Sequence, residues 1–369
     1  MTFGGLDLFM TQKTCNFGFV KIDLIMPLNL NIVEQSIVPP FRQIINQIEE
    51  SIRNGSLKSG EMLPSMSEMA ESLGLSKETV KKSYLILRDQ GVINSTRGVG
   101  YFIASPDSNR KKRVMLLFDR LSIVKEVIFD SFASTIGEQA EINIYLHNQQ
   151  VELLDYYVRK YLDSYDWFVI TPHFPLDSKT QRQVLTILRR IPIRKLIILD
   201  HKLDNLVGNY GTVYQDYATD AALGLSMAAE ELRPLRKLNV IISQSSLYHA
   251  YACQSISDFC KANKISCVFH SNVSPRIVHA GEVYLIVNGQ LDMDLINLVR
   301  VARAKNLKPG KDFRIIAYND SPIREIVLDG LTTISTDFEQ MGRLAAEMIL
   351  DNTPRKVKCD FRMIRRGTF

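Results

Sequence analysis

Lys77, Lys81 and Lys82 cluster on one short segment, preceded by Ser65 and Ser76 and interleaved with Thr79. Arg97 and Gly98 follow in a Gly-rich stretch at 95–100. Ammonium and guanidinium groups beside short hydroxyls form a phosphate-binding set. The cations supply charge, and Ser or Thr at a helix start presents hydroxyl and backbone N–H donors to phosphate oxygens. Tyr84 adds a phenol to the same segment, although its spacing with Val80 and Leu87 also turns it inward. The plain alternative for the whole set is a solvated lysine face. Glu68 and Glu78 stand among the bases and would repel phosphate unless turned away.

Placing these groups requires a particular order of elements. Residues 28–37 (LNLNIVEQSI) alternate enough for a short strand. Pro39 and Pro40 open a helix in which Phe41, Ile44, Ile45, Ile48 and Ile52 hold the i, i+3, i+4 stripe, until Asn54 and Gly55 stop it. Ser65 caps a helix over 66–73 that Gly74 closes, and Ser76 caps the next, which ends at Gln90 and Gly91. Residues 92–94 and 101–103 read as strands flanking a wing at 95–100. This is the order of a winged helix-turn-helix, whose second helix enters a DNA major groove while the hairpin grips the flanking backbone.

At 369 residues the chain implies two or three folding units. Apolar residues make up 46% and charged residues 23%, the proportions of a globular protein with real cores. The net charge of +5 is too mild to announce nucleic acid by itself. Placement matters more, because Arg110, Lys111, Lys112 and Arg113 lie at the same end of the chain as the lysine cluster. The five cysteines include Cys253, Cys260 and Cys267 at seven-residue spacing, without the short pairs that zinc needs, and read as reduced core thiols. No stretch is long and apolar enough to span a bilayer, and residues 1–25 lack the pattern of a secretory signal. A cytoplasmic protein without metal or cofactor is the expectation. Residues 1–27 read as a disordered lead or an over-long start, with Met26 the better amino terminus.

Residues 105–113 (SPDSNRKKR) read as a polar linker. Beyond it, apolar runs at 114–118, 167–170, 195–199, 238–242, 283–287 and 313–317 alternate with helix-length segments at 179–190, 217–232, 250–263 and 291–306. Such alternation with apolar strands means an α/β fold with parallel sheets covered on both faces. The length provides for two such lobes.

Residues 36–104 resemble the GntR family of bacterial regulators, through PPFRQIINQIEESIRNGSLKSGEMLPS, MAESLGLSKETVKKSYLILRDQGVI and TRGVGYFI. Two departures alter the implied contacts. Ser67 stands where many members carry a DNA-contacting arginine, and Lys77-Glu78-Thr79-Val80-Lys81 replaces the usual Arg-Thr-Thr-Val-Arg. Lysine lacks the bidentate fork of arginine, so base contacts should differ from the common pattern. Residues 114–369 resemble the periplasmic-binding-protein-like sensor of LacI-type regulators, most specifically at 313–350 (FRIIAYNDSPIREIVLDGLTTISTDFEQMGRLAAEMIL). Residues 212–224, 172–177 and 285–290 support the match. A GntR module joined to such a sensor is the architecture of bacterial arabinose-type repressors. The resemblance implies a winged-helix DNA-binding domain over 28–104 and a sensor over 114–369. Lobe 1 takes about 114–205 and 338–352, and lobe 2 about 208–336 and 357–369.

In that fold two lobes close on a sugar held by polar side chains at strand carboxyl ends. The resemblance places Asn288 at a sugar hydroxyl, Asn319 where the family has an Asp, and Asp320 after it. Thr336, Asp337 and Phe338 fall on the hinge-side segment. On the other lobe Asp119, Arg120, His173, Phe174 and His201 follow strands, and Asp216 follows the strand leading into the second lobe. The family's pocket arginine, expected near 250–252, is absent, which leaves Tyr248, His249 and Tyr251 as the polar candidates there. Each residue has a structural alternative: Asp and Asn after strands cap helices, histidines on loops face solvent, and Phe174 and Phe338 fill cores.

The implied function is a regulator, expected to be a repressor, that binds double-stranded operator DNA as a homodimer and is switched by a monosaccharide, a pentose or 6-deoxyhexose being favoured. Two alternatives keep the DNA-binding role: a non-sugar effector, or a sensor that takes no ligand. A transport solute-binding protein is opposed by the fused DNA module. An aminotransferase-like enzyme needs a longer second domain, and no nucleophile elbow or phosphate-cradling loop occurs.

Overall fold

The computed structural model describes residues 28, 30–96, 98–104, 111–235, 237–244, 246–287 and 291–369. The lead at 1–27 and two candidate residues, Arg97 and Asn288, lie outside the described residues. The chain divides into two units, Met1–Asp107 and Ser108–Phe369.

In the first unit, α1 (Pro40–Arg53), β1 (Met62–Leu63), α2 (Met66–Leu73), α3 (Lys77–Asp89), β2 (Ile93–Thr96) and β3 (Gly100–Ile103) follow in order. The strands form an antiparallel sheet ordered β1-β3-β2. Ile44, Ile45 and Ile48 of α1 pack with Met69, Val80, Tyr84, Leu87 and Ile93, so the apolar stripe becomes the core of the module. Gly74 ends α2 in the left-handed region at φ 65°, which lets the chain turn tightly into α3. The short strand expected over 28–37 does not form among its described residues. Side-chain amides of α1 serve that backbone instead. Gln47 exchanges two 2.8 Å hydrogen bonds with the main chain of Asn31, and Gln43 does the same work at Val33 and Val38. Satisfied by glutamines, this segment needs no strand partner.

The second unit contains two six-stranded sheets. The first comprises β4 (Lys112–Phe118), β5 (Ala140–Leu146), β6 (Trp167–Ile170), β7 (Leu196–Asp200), β8 (Gly211–Tyr214) and, from the far end of the chain, a strand at Lys356–Lys358. Helices α4 (Ile123–Ile136), α5 (Val151–Tyr161) and α6 (Ser178–Leu188) connect its early strands. The second sheet follows α7 (Asp220–Ser226) and α8 (Ala229–Leu232). It comprises β9 (Leu238–Ile241), β10 (Cys267–His270), β11 (Val283–Ile286), β12 (Arg314–Tyr318), β13 (Thr332–Thr336) and a last strand at Phe361–Ile364, with α9 (His249–Asn263) and α10 (Leu291–Ala304) between. Helix α11 (Phe338–Leu350) returns to the first lobe. With Lys356–Lys358 as β14 and Phe361–Ile364 as β15, the strand orders are β14-β8-β7-β6-β4-β5 and β10-β9-β11-β12-β13-β15. All pairings are parallel except that of β13 with β15. Cores on both faces of each sheet explain why the central strands are continuous apolar runs.

Several sequence-derived boundaries move. β8 pairs with β7 in the first lobe, so the crossing comes after Tyr214 and not near 208. β14 likewise belongs to the first lobe, which shifts the last crossing past 358. The helix expected over 217–232 breaks into α7 and α8. The linker stops short of Lys112, whose ammonium donates to the Ile349 carbonyl at 2.5 Å as β4 begins, while the Arg113 backbone N–H donates to Asp166. Lys112 and Arg113 are therefore tied into lobe 1 and leave the basic run.

Helix α11 crosses α4 at Gly342 for lack of a side chain. A Cβ there would lie 2.2 Å from the Ile128 carbonyl oxygen and 2.9 Å from the Phe132 nitrogen. Backbone cannot yield as a side-chain end can, so Gly342→Ala is expected to destabilise the second unit by about 1–3 kcal/mol. Urea unfolding followed by the single tryptophan, Trp167 in β6, reads this directly. An unchanged midpoint would contradict the close packing.

Candidate nucleic-acid face and interlobe cleft

Helix α2 begins with a capping box. The Ser65 hydroxyl accepts from the Glu68 N–H at 3.2 Å, and Glu68 accepts from the Ser65 N–H at 2.8 Å. The carboxylate that would have repelled phosphate is thus folded back on its own helix terminus. The Ser76 hydroxyl caps α3 through the Thr79 N–H at 3.2 Å and meets the Thr79 hydroxyl at 2.8 Å. The lysines differ. Lys77 is exposed and joins no ion pair among the described residues, Lys81 meets Glu78 at 3.4 Å, and Lys82 lies 3.8 Å above the Phe41 ring centre. Exposed pairs of this kind are weak and open to competition from phosphate. Gly98 is exposed in the wing at φ 80°.

Tyr84 is not on this face. Its side chain is fully buried, its hydroxyl donates to the Pro64 carbonyl at 2.7 Å, and its ring meets Tyr101 edge-on at 4.8 Å. Burial, then the nearby Tyr101 and Glu68, push its phenol far above the usual range. It pins α3 to β3 and to the turn before α2, which removes it from the DNA-contact set.

In the sensor, the strand ends of lobe 1 converge on Asp200, the last residue of β7, held at φ 73° and 3% exposed. Lys125 of α4 donates to its Oδ2 at 2.5 Å, and His173 Nε2 lies 2.9 Å from the same oxygen. Gln215 and Tyr217 donate to Oδ1 at 2.5 and 3.1 Å. Asp119, at the end of β4, lies 3.6 Å from Lys125 and accepts from the Thr171 hydroxyl and from Arg120 Nε. Burial alone would raise both carboxyls, but Lys125 and His173 outweigh it; Asp119 is held below the usual range and Asp200 well below it. Thr336 extends the network by donating to Gln215 Oε1 at 3.1 Å.

Lobe 2 reaches this cluster through Tyr248, the residue before α9. Its hydroxyl lies 3.0 Å from His173 Nδ1, and its ring stacks on Tyr217 with centres 3.8 Å apart and planes 6° from parallel. The imidazole is thus bonded on both sides, through Nε2 to the Asp200 carboxylate and through Nδ1 to the Tyr248 hydroxyl. His201 stands 5.1 Å from the Tyr248 ring, and burial, then His173, lowers its pKa to about 4. At the end of β12, Asn319 adopts φ 66°, and its Oδ1 and the Ser321 hydroxyl are buried without a hydrogen-bond partner.

The expected effector set is therefore only partly assembled. Asp119, Arg120, His173, His201 and Tyr248 belong to one cluster. Phe174 is core, fully buried and stacked on His147 at 4.3 Å. Phe338 is packed into the lobe 1 core with Met341. Asp320 is closed off by two 2.9 Å bonds from Arg366, and Asp337 caps α11 through the Gln340 N–H. His249 turns to its own loop, bonding the Ser243 carbonyl at 3.0 Å and Cys253 at 3.5 Å. Asp216 is consumed by the turn before α7, where it accepts from Ala218 and Thr219. Sequence reasoning passed over Lys125, Asp200, Gln215, Tyr217 and Ser321. Asp200 was within reach, since it ends the apolar run at 195–199 as Asp119 follows 114–118. Lys125 was not, because nothing local marks a helix lysine for burial.

The geometry defines a class: a winged helix-turn-helix module followed by a two-lobed sensor of the periplasmic-binding-protein type. Residues 40–103 match the model of bacterial regulatory proteins of the gntR family, and residues 285–368 match a periplasmic binding protein-like domain. The chain belongs to the GntR family of bacterial regulatory proteins. It is 31% identical over 97 residues to the HTH-type transcriptional repressor YtrA of Bacillus subtilis, a match covering 26% of this chain and 71% of that one. It is 36% identical over 77 residues to the repressor NagR of the same organism, covering 21% of this chain and 32% of that one. The chain thus spans about a third of NagR. These relatives are transcription regulators and not enzymes. The lac repressor dimer bound to operator and the anti-inducer ONPF shares the sensor fold, with a TM-score of 0.55 at 15% identity over 70% of this chain and 94% of that one.

Proposed function

We propose that this chain is a ligand-responsive transcriptional repressor, cytoplasmic and dimeric, that binds operator DNA and is switched by a small sugar. The observation that carries the reading is the presence, in one chain, of an exposed lysine-bearing α3 and a sensor in which Tyr248 of lobe 2 closes on the polar strand ends of lobe 1, with two unsatisfied buried groups, Asn319 Oδ1 and the Ser321 hydroxyl, just after β12. A buried orphan acceptor or donor is costly unless something fills it, and a polyhydroxylated ring supplies both partners. Dimerisation follows from the need of two recognition helices for two half-sites. The effector would act by its differential affinity for two lobe arrangements.

Ser65, Ser76, Lys77, Thr79, Lys81 and Lys82, with Arg97 and Gly98 of the wing, form the proposed DNA face. A duplex enriched from random sequence by the full chain provides the test. Lys77→Ala is expected to weaken binding and to reduce the slope of log affinity against log salt by about 1, as one lost phosphate contact should. If no sequence is enriched, the operator reading falls. For the effector, a pentose or 6-deoxyhexose at about 100 times its dissociation constant should stabilise the sensor by about 2.7 kcal/mol, and Asn319→Ala should remove that gain. If no monosaccharide raises the melting temperature, the sugar form of the reading is discarded in favour of a non-sugar effector or none.

A further inference from the structure

The hydrogen-bonding capacity of the cleft constrains what can bind there. An ionised carboxylate offers about four lone-pair sites. Asp200 already receives four donors, from Lys125, His173, Gln215 and Tyr217. It organises the cleft and has nothing left for a ligand. His173 spends Nε2 on that carboxylate and has Nδ1 remaining, which Tyr248 occupies. Tyr217 spends its hydroxyl on Asp200 and offers its ring face, which Tyr248 also covers. Tyr248 is itself only 7% exposed. A flat ring with a hydroxyl at its edge thus sits, tethered, on two of the groups of this cluster that a ligand could use.

We propose that the Tyr248 side chain is a built-in occupant of the effector subsite, which an effector must displace from His173 Nδ1 and from the face of Tyr217. This rests on the effector-cleft reading above and adds to it a gate and a ligand class: a ring with a flat apolar face and a hydroxyl at its rim. A pyranose and a phenol share that chemistry. The gate also bridges the lobes, because Tyr248 precedes α9 of lobe 2 while His173 follows β6 of lobe 1. Displacing it breaks that interlobe contact, and the apparent affinity of any effector is reduced by the fraction of time Tyr248 stays seated.

The probe is p-cresol, which reproduces the displaced side chain, with toluene as its counterpart lacking the hydroxyl. In the full chain, Tyr248→Ala should bind p-cresol at least tenfold more tightly than the native protein does, measured by equilibrium dialysis. Toluene should bind the variant at least tenfold more weakly than p-cresol, since it has no hydroxyl to bond His173 Nδ1. A folded Tyr248→Ala protein that binds p-cresol no better than the native chain, or binds toluene equally well, overturns the gate. Should that variant not fold, Tyr248→Phe keeps the ring and loses the hydroxyl. Its affinity for p-cresol should rise about threefold or more as the gate loosens, and an unchanged affinity overturns the proposal. The two readings separate cleanly. If p-cresol binds the alanine variant while no monosaccharide binds either chain, the gate stands and the sugar is wrong. If a monosaccharide binds the native chain and the alanine variant equally, the sugar stands and the gate is wrong.

Discussion

Lys125→Met is expected to cost the second unit about 3–5 kcal/mol. The lysine is 5% exposed and serves two carboxylates, Asp200 at 2.5 Å and Asp119 at 3.6 Å, both also buried. Removing one partner of a buried ion pair leaves charge without solvent or counter-ion, which costs far more than the pair itself contributes. The double change Lys125→Met with Asp200→Asn should recover part of the loss, and the cycle of four proteins measures the coupling. Trp167 fluorescence in urea reads all four. The pH dependence has a definite sign. Asp119 and Asp200 have carboxyls held below their unfolded values, so their stabilisation is present above the unfolded carboxyl value and is lost as pH falls through the folded ones. Without the ammonium, burial raises the folded carboxyl values, so the penalty of Lys125→Met should shrink as pH falls from the variant's carboxyl range towards the lower folded values of the native protein. A cost under about 1 kcal/mol at neutral pH would show that water or a relaxed side chain replaces the ammonium, against the buried network described above.

Tyr84→Ala is expected to unfold the winged module and abolish DNA binding without touching the sensor. Truncating a fully buried aromatic costs about 3–5 kcal/mol. Small modules of this size bury little surface and have total stabilities near the low end of about 5–15 kcal/mol, so such a loss consumes most of it. Tyr84→Phe is the informative partner. It leaves the Pro64 carbonyl without its donor, a loss of about 1–3 kcal/mol, and keeps the ring against Tyr101. The phenylalanine variant should stay folded and hold DNA within a few-fold of the native affinity. Far-UV circular dichroism and fluorescence anisotropy with the selected duplex distinguish the two variants. If the folded phenylalanine protein lost DNA binding, the hydroxyl would be a DNA contact after all.

The two variants also mark where local pattern is informative and where it is not. Tyr84 obeys the same helical period as Val80 and Leu87, which turned it inward; its phenol drew it into the contact set. Periodicity was the better guide, because a helix buries whatever lies on its apolar stripe. Ser65, Ser76 and Gly74 were readable because caps act within about one helical turn, and the structure shows all three ending or starting a helix. The strand expected over 28–37 failed because its backbone partners, Gln43 and Gln47, come from a neighbouring helix.

In the sensor the alternation of apolar strands with helices gave the parallel-sheet class, since strands buried on both faces cannot be written otherwise. The cleft was another matter. Asp320 reads as a ligand until Arg366, far along the chain, takes both its oxygens, and Asp337 until it caps α11. Lys125, Asp200, Gln215, Tyr217 and Tyr248 come from separate stretches, and no spacing rule joins them.

By itself the sequence determined what depends on neighbours in the chain: the helices and their caps, the turn before α3, the wing, the apolar strands and the family to which these belong. Tertiary structure alone decided which polar groups are spent on each other and which remain for a ligand. A hydrogen bond or a buried ion pair is satisfied by whatever the fold brings within about 3 Å, and that distance carries no trace of separation along the chain.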